Sequence, residues 1–288
     1  MCLSKTIMRS LLKFFLLTYI VSWTFWIAAA AISGRGALSG ATASPPSRLA
    51  AISGLLFLFG TIAPSLVALA LTARAEGRAG TMALLSRLVR APTAARWYVF
   101  AVSYFAAIKL GVALVHLIAT GAWPPFSQEA WYIMLVAVVL STPVQAGEEI
   151  GWRGYALPRL AGHLGLARAS IVLGVIWACW HLPLFFILGS DYFGRSFPVY
   201  LLAVTALSVA MAWLYWRTAG SLLLTMLMHA AVNNTNLVPS AVSPGANPFV
   251  LNAPLVAWLT AALLWICALY FLVRMRGATM PEAVSRAR

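Results

Sequence analysis

The sequence predicts an all-α polytopic membrane protein with about eight transmembrane helices. Of its 288 residues, 62% are hydrophobic and only 9% are charged, and the mean hydropathy is +0.89. A soluble domain usually carries about 25% charged residues. Long apolar runs recur along the chain, and a run of about 20 such residues is enough to cross a bilayer. Lipid is therefore the expected solvent for most of the chain.

The apolar runs are separated by charged or Pro- and Gly-rich breaks. They cover residues 14–34, 49–73, 97–119, 127–149, 169–190, 196–216, 218–238 and 252–273. Each run is long and continuous, whereas a membrane β-barrel would show segments of about ten residues with alternating polarity. The first run follows Lys5, Arg9 and Lys13 and is longer than the apolar part of a secretory signal, so we expect an uncleaved helix.

The distribution of basic residues predicts the orientation. With both termini in the cytoplasm, the inner segments hold 16 of the 20 Lys and Arg residues, and the outer ones hold three: Arg35, Arg48 and Arg195. This bias is typical of cytoplasmic loops, and the expected membrane is a bacterial plasma membrane. Basic residues that face anionic lipid also account for the net charge of +14, so nucleic acid is not an expected partner. The basic segment 73–96 is predicted to be an interfacial amphipathic helix.

A few polar groups fall inside the apolar runs, where they are costly and indicate function. They are Lys109, His116, Glu148, Glu149, His181, His229, Asn233 and Asn234. Lys109 and His116 are most simply a lysine that extends its ammonium group to the interface and a histidine that packs locally. The other six belong to three short motifs.

The first motif is EEIGWR, which starts at Glu148. Glu149 and Arg153 are four residues apart and so share one helix face, where they can form an ion pair. Glu148 lies about 100° around the helix and is free to face another group. A carboxylate between apolar walls and a second carboxylate is expected to hold protons tightly, as a general base requires.

The second and third motifs place histidines on separate runs. Trp177 and His181 are four residues apart, and His229 and Asn233 repeat that spacing, so each pair shares a helix face. The two histidines start from basic helix ends and reach similar depths of about 20 Å, which allows them to meet. Asn234 lies on a neighbouring face and is expected to bond another helix. Glu148 reaches this depth only if its helix is kinked, for which Pro143 is a candidate, or if the other two helices protrude.

The three motifs together resemble those of the CPBP family, which comprises CAAX-prenyl-protease and bacteriocin-processing membrane endopeptidases, also called Abi proteins. Glu148 to Arg153 matches EExxxR, Trp177 to His181 matches FxxxH with Trp for Phe, and His229 to Asn233 matches HxxxN. The resemblance covers residues 131–239. It implies eight helices around an intramembrane catalytic cavity that opens to the cytoplasm and to lipid.

The resemblance also implies roles for the motif residues. Glu148 matches the catalytic glutamate, His181 helps it to activate water, and His229 and Asn233 donate hydrogen bonds to the oxyanion. Glu149 and Arg153 match the supporting pair. The expected partner is a membrane-anchored peptide, either prenylated or a leader peptide, and residues 131–239 would form the catalytic core. The flanking segments are residues 1–130, with three helices and the basic loop, and 240–288, with the last helix and a basic tail.

Several alternatives remain open. Glu148, His181 and His229 could ligate zinc, with water as the fourth ligand. The sequence lacks HExxH and offers an amide for the oxyanion, so a mechanism that requires no cofactor is favoured over a zinc enzyme. A non-catalytic immunity or scaffold protein would keep the same fold. A transporter would also carry intramembrane carboxylates and histidines, although we find no paired halves in the sequence.

Overall fold

The computed structural model describes residues 2–34, 47–239 and 247–278, with side chains described from residue 8 and, after the first gap, from residue 48. Regular structure within these ranges is helical. The α-helices, in chain order, are α1 (Cys2–Ile32), α2 (Ser47–Leu85), α3 (Arg96–Thr120), α4 (Trp131–Ser141), α5 (Ala146–Glu149), α6 (Leu157–Leu164), α7 (Leu166–Trp180), α8 (Phe197–Arg217), α9 (Leu222–Asn234) and α10 (Leu255–Arg274). Arg35, Arg286 and Arg288, which the orientation prediction uses, lie outside the described residues.

Seven described segments are long and apolar enough to cross a membrane, which confirms an all-α polytopic membrane protein. They are Met8–Ile32, Arg48–Val89, Arg96–Thr120, Trp131–Leu164, Leu166–Phe186, Phe197–Arg217 and Leu255–Arg274. The remaining predicted run forms α9, which has 13 residues. At about 1.5 Å per residue, α9 is about 20 Å long, which is shorter than the hydrocarbon core of a bilayer. This helix therefore lies within the bundle without spanning it.

The fourth span is not a regular helix. After α4, the chain forms a 3₁₀ turn at Thr142–Gln145, the short α5, a π-helix at Ile150–Ala156 and then α6. Pro143 lies in the 3₁₀ turn and has no N–H to continue an α-helix. The sequence offers two ways to position Glu148, and one of them is a break in its helix near Pro143. The structure contains a break at that point. It interrupts the regular α-helix immediately before the two glutamates.

Glycines let this broken span approach α2. A Cβ atom on Gly147 would lie 2.8 Å from Cγ2 of Ile62, and one on Gly151 would lie 2.6 Å from the carbonyl oxygen of Pro64. Both distances are shorter than packed atoms allow. Glycine at these two positions therefore brings the backbone of the glutamate motif against α2, as small residues do between membrane helices.

The basic segment 73–96 is docked on the bundle, so the prediction of an interfacial amphipathic helix is only partly right. Helix α2 continues to Leu85 with a break at Gly77, where φ is 65°, and a 3₁₀ turn follows at Ser86–Val89. Arg87 is 3% exposed and donates hydrogen bonds to the carbonyl oxygen of Gly154 (3.2 Å) and to Oη of Tyr215 (3.1 Å). These hydrogen bonds join residues that are 67 and 128 positions apart in the sequence, so a local sequence pattern cannot reveal them.

Helix α8 lies at the centre and α1 at the edge. The most apolar 18-residue window is 67% buried in α8 and 28% buried in the first span. α7 and α10 pack on α8, α2 packs on α1, and α3 packs between α9 and α10. The glutamate motif is enclosed between α2 and α9, and its neighbours decide where its side chains point.

Candidate active site

Glu149 lies at the centre of a buried ion-pair network. Its Oε1 accepts a hydrogen bond from a terminal nitrogen of Arg153 at 2.7 Å, and both side chains are fully buried. The predicted pair is therefore present. The same oxygen lies 3.0 Å from Nδ1 of His229 on α9. Arg153 and His229 together fix Glu149, so this carboxylate is not available for a mobile role.

Glu148 faces another set of groups. Its Oε2 accepts a hydrogen bond from the indole Nε1 of Trp177 at 2.9 Å, and its side chain is 7% exposed. The adjacent glutamates thus point to different partners, as their separation around the helix predicts. Sequence reasoning identified Trp177 only as the aromatic residue of its motif and missed this hydrogen bond, which phenylalanine could not donate.

Two histidines lie beside the Trp177 ring. Their ring centroids are 5.9 Å (His181) and 5.2 Å (His229) from the centroid of the indole. The guanidinium carbon of Arg153 lies 4.1 Å from the same ring. The Trp177 ring therefore lies between Glu148 and the two residues that hold Glu149, which are Arg153 and His229. Through this ring, α7 contacts the surroundings of both glutamates. The prediction that the two imidazoles reach a common depth agrees with this arrangement.

The hydrogen bonds of the histidines define their tautomers. Nδ1 of His181 lies 2.9 Å from the carbonyl oxygen of Trp177. Because a carbonyl oxygen can only accept, Nδ1 carries the proton, and Nε2 of the neutral ring keeps a lone pair. Nδ1 of His229 faces the carboxylate of Glu149, so its Nε2 can donate a hydrogen bond only when the ring is an imidazolium.

Asn233 lies at the accessible end of this group. Its side chain is exposed, whereas those of Glu148, His181 and His229 are buried. Its Nδ2 donates a long hydrogen bond of 3.4 Å to Oε1 of Gln145, a residue that sequence reasoning missed. Asn234 Nδ2 donates to Oγ of Ser141 on α4 at 2.8 Å, as predicted for a residue that bonds another helix.

Two tyrosines complete the walls around His181, and the motifs gave no indication of them. The ring centroids of Tyr192 and Tyr200 lie 5.3 Å and 5.6 Å from that of His181. Burial, and then the negative charge of Glu148, raise the pKa of Tyr192 to about 12. The phenol of Tyr192 is therefore protonated at neutral pH and can donate a hydrogen bond. Tyr192 lies in loop 187–196 and Tyr200 in the first turn of α8, and only the folded chain brings both rings against His181.

Comparison with known proteins adds a second kind of observation. Residues 127–235 match the family described as type II CAAX prenyl endopeptidase Rce1-like. The CAAX prenyl protease 2 of Methanococcus maripaludis is 24% identical over 236 residues, which cover 76% of this chain and 81% of that protein. These matches support assignment to the CPBP family, and the chain is a membrane endopeptidase. The sequence-based resemblance is confirmed, and the endopeptidase prediction is supported over the transporter and scaffold alternatives.

The zinc ligand set considered from the sequence is Glu148, His181 and His229. Across residues 2–34, 47–239 and 247–278, no three His, Cys, Asp or Glu side chains come together as ligands of one metal ion. One oxygen of Glu148 is bonded by the indole N–H of Trp177, and Nδ1 of His229 is bonded to Glu149. Whether the enzyme needs a metal stays a prediction, as do the individual catalytic roles.

The two remaining intramembrane polar residues, His116 and Lys109, have different surroundings in the structure. His116 bonds within its own helix end, through Nδ1 to the carbonyl oxygen of Ala122 at 2.9 Å, which agrees with a packing role. Lys109 is 8% exposed, and its Nζ donates to the carbonyl oxygen of Val238 at 3.2 Å and to Oγ1 of Thr260 at 3.4 Å. The prediction that this lysine extends to the interface is therefore wrong. The segment after α9 and helix α10 supply acceptors deep in the bundle, which a pattern along α3 cannot reveal.

Proposed function

We propose that this endopeptidase hydrolyses a peptide bond of a membrane-associated peptide with a water molecule activated by Glu148. The observation that carries the proposal is the separation of the two adjacent carboxylates. Glu149 is fully buried and fixed by Arg153 and His229, whereas Glu148 is 7% exposed, has one indole partner and retains an oxygen without a protein hydrogen bond among the described residues. A carboxylate with a free oxygen beside an imidazole can bind and deprotonate water.

The reaction proceeds in two steps. Glu148 takes a proton from water while the water oxygen attacks the peptide carbonyl, which forms a tetrahedral oxyanion. Glu148 then returns that proton to the amide nitrogen as the C–N bond breaks. The lone pair on Nε2 of His181 accepts a hydrogen bond from the same water and orients it. No group other than Glu148 needs to change its protonation state over the cycle.

His229 and Asn233 stabilise the oxyanion. In this proposal His229 acts as an imidazolium: its Nδ1 bonds the carboxylate of Glu149 at 3.0 Å, and its Nε2–H is a charged donor to the oxyanion. The amide of Asn233 is exposed next to it and holds only a long hydrogen bond, which a substrate oxygen can replace. Oxyanion donors in a dry site typically contribute about 2.7–4 kcal/mol each.

The proposed substrate is a peptide with a hydrophobic anchor, either a CAAX-type prenyl group or the apolar part of a leader. The similar protein of Methanococcus maripaludis is named a CAAX prenyl protease, which favours the prenylated class. Each buried methylene of an anchor contributes about 0.8 kcal/mol, so the anchor can provide most of the affinity.

The first test compares wild type, Glu148→Gln and the exposed control Glu129→Gln in detergent, with a farnesylated CAAX peptide and a leader peptide as substrates. We expect Glu148→Gln to lower kcat by about 10² to 10⁴-fold, the range of general-base catalysis. The control should match wild type. If Glu148→Gln cleaves at the wild-type rate, Glu148 is not the base.

A second test concerns the metal. We favour a mechanism without a metal because no three candidate ligand side chains come together among the described residues. Metal content of the purified active enzyme, measured together with a chelator titration, decides the point. Stoichiometric zinc whose removal abolishes cleavage, and whose return restores it, would reverse this proposal.

The orientation is also a proposal. The segments on the same side of the membrane as the two termini hold 16 of the 20 Lys and Arg residues, and the opposite segments hold three. This excess favours cytoplasmic termini in a bacterial plasma membrane. In that orientation, Arg168 and Arg217 lie on the cytoplasmic side, and His181 and Asn233 lie at the far ends of α7 and α9. The resemblance, by contrast, implies a cytoplasmic opening. Labelling of single cysteines at positions 195 and 217 with a membrane-impermeant maleimide on intact cells decides which end faces outward.

A further inference from the structure

Two arginines lie against one tryptophan at the end of the bundle where α3 begins and α8 ends. The guanidinium carbon of Arg96 lies 5.0 Å from the centroid of the Trp97 ring, and that of Arg217 lies 5.6 Å from the same centroid. Arg217 also lies 5.5 Å from the ring centroid of Trp216. A contact with an aromatic face holds a guanidinium group in place and leaves its N–H donors available to another molecule. Two helices therefore place two positive charges at one indole.

The Trp97 ring itself is fixed by packing. Its centroid lies 5.6 Å from that of Trp213 on α8, and the Trp213 ring stacks on Phe271 of α10 with a centroid distance of 4.6 Å. Aromatic rings from α3, α8 and α10 thus meet at this point. Groups that are already held in place lose less conformational entropy when they bind a ligand. The packed rings therefore prepare the two guanidinium groups for a common partner.

The charge at this end of the bundle is positive. The side chains of Arg96 and Arg217 are both exposed, and neither forms a salt bridge within the described part of the chain. Arg90 adds a third positive charge close to the end of α8, where its guanidinium group donates to the carbonyl oxygen of Ala219. An anion that reaches the two exposed arginines from outside the bundle is therefore the complementary ligand.

The position of this cluster indicates that the anion belongs to a lipid. Helices α3 and α8 are both long and apolar enough to cross a membrane, and the cluster lies at an end of each. Tryptophan is enriched at such ends, at the level of the lipid head groups. Val99, three residues after Arg96, is 63% exposed, and Val273 of α10 is 55% exposed. These apolar side chains suit acyl chains, which a free phosphate ion lacks.

We propose that Arg96 and Arg217, held on the Trp97 ring, bind the phosphate group of an anionic phospholipid. A guanidinium group presents its N–H donors in a planar fork that bonds two phosphate oxygens at once. The phosphate charge of phosphatidylglycerol is uncompensated, whereas the choline of phosphatidylcholine carries a positive charge that the arginines repel. None of the residues of this site belongs to the group around Glu148, so the inference does not rest on the proposed function.

The test is a lipid titration of the purified full chain in detergent, followed by native mass spectrometry. The two lipids are phosphatidylglycerol and phosphatidylcholine with the same acyl chains. Wild type should bind the first phosphatidylglycerol about tenfold more tightly than phosphatidylcholine, since an exposed ion pair contributes up to about fivefold and the site offers two. Arg96→Gln combined with Arg217→Gln should remove this preference and leave the binding of phosphatidylcholine unchanged.

The matched control is Arg274→Gln combined with Arg276→Gln, which removes the same charge. Both arginines are exposed and follow Phe271 at the same end of the bundle. Neither is among the arginines that lie over the Trp97 ring in the described ranges. The control should keep the preference for phosphatidylglycerol within about twofold of wild type, because free charges a Debye length away are screened at 0.15 M salt. Thermal unfolding in detergent should show all variants folded.

Three results would overturn the lipid site. The first is equal binding of the two lipids by wild type. The second is an equal loss of preference in the control and in the Arg96 and Arg217 variant, which would mean that net charge alone attracts the lipid. The third is binding of inorganic phosphate to wild type as tightly as phosphatidylglycerol, which would assign a free anion to the two arginines. Cleavage is not measured in any of these titrations, so failure of the lipid site leaves the catalytic proposal unaffected.

Discussion

The central helix α8 and the broken fourth span, Trp131–Leu164, use polar residues in opposite ways. Helix α8 runs for 21 residues without a break, and its buried Ser208 donates to the carbonyl oxygen of Ser170 at 3.0 Å. The fourth span changes its helix type repeatedly and carries two buried glutamates and a buried arginine. A regular helix suffices where polar groups only join neighbours. The backbone is irregular where adjacent carboxylates must face different partners.

The largest effect is expected from a substitution that breaks the ion-pair network of the fourth span. Arg153→Met should lower the free energy of unfolding by about 3–5 kcal/mol, because it leaves the charge of Glu149 in the bundle without its guanidinium partner. Cleavage should fall to background. Chemical unfolding in mixed micelles measures the change.

The matched substitution in α8 is Ser208→Ala, which removes one neutral hydrogen bond. It should cost only about 1 kcal/mol and retain activity. If Arg153→Met is no more destabilising than Ser208→Ala, the buried pair has no special structural role, and the contrast between the two regions is lost.

A smaller effect concerns the accessible end of the site. Asn233→Ala should slow kcat about a hundredfold or more, because a donor to the oxyanion is lost, with little change in KM. The neighbouring Asn234→Ala is the control, since that side chain bonds Ser141 and should affect stability more than rate. Equal loss of kcat in both variants would contradict an oxyanion role that is particular to Asn233.

The smallest effect tests the indole hydrogen bond between α7 and the fourth span. Trp177→Phe keeps an aromatic ring but removes the donor that lies 2.9 Å from Glu148. We expect kcat/KM to fall by about tenfold, since one hydrogen bond to a charged group is lost. The pH dependence of kcat/KM should shift toward higher pH, because the carboxylate loses a group that stabilises its ionised form. A drop in rate without such a shift would assign Trp177 a packing role only.

The local sequence pattern predicts the positions of some site residues but not of the others. The Glu149–Arg153 pair follows from a four-residue spacing, and the separation of Glu148 from Glu149 follows from helix geometry. Gln145, Tyr192 and Tyr200 lie outside the motifs, and their approach depends on a 3₁₀ turn and a folded loop. The inward direction of Lys109 depends on acceptors from the segments after α9 and within α10, so no periodicity along α3 predicts it.

The sequence alone determined that the chain is an all-helical membrane protein with three motifs on separate helices, because lipid requires long apolar runs and internally bonded backbone, both of which are local properties. It did not determine that α9 stops after 13 residues, or that the basic segment docks through Arg87. Those features depend on which surfaces meet when the bundle packs. The tertiary structure also decided which partner each glutamate has, since α7 supplies the indole and α9 the imidazole.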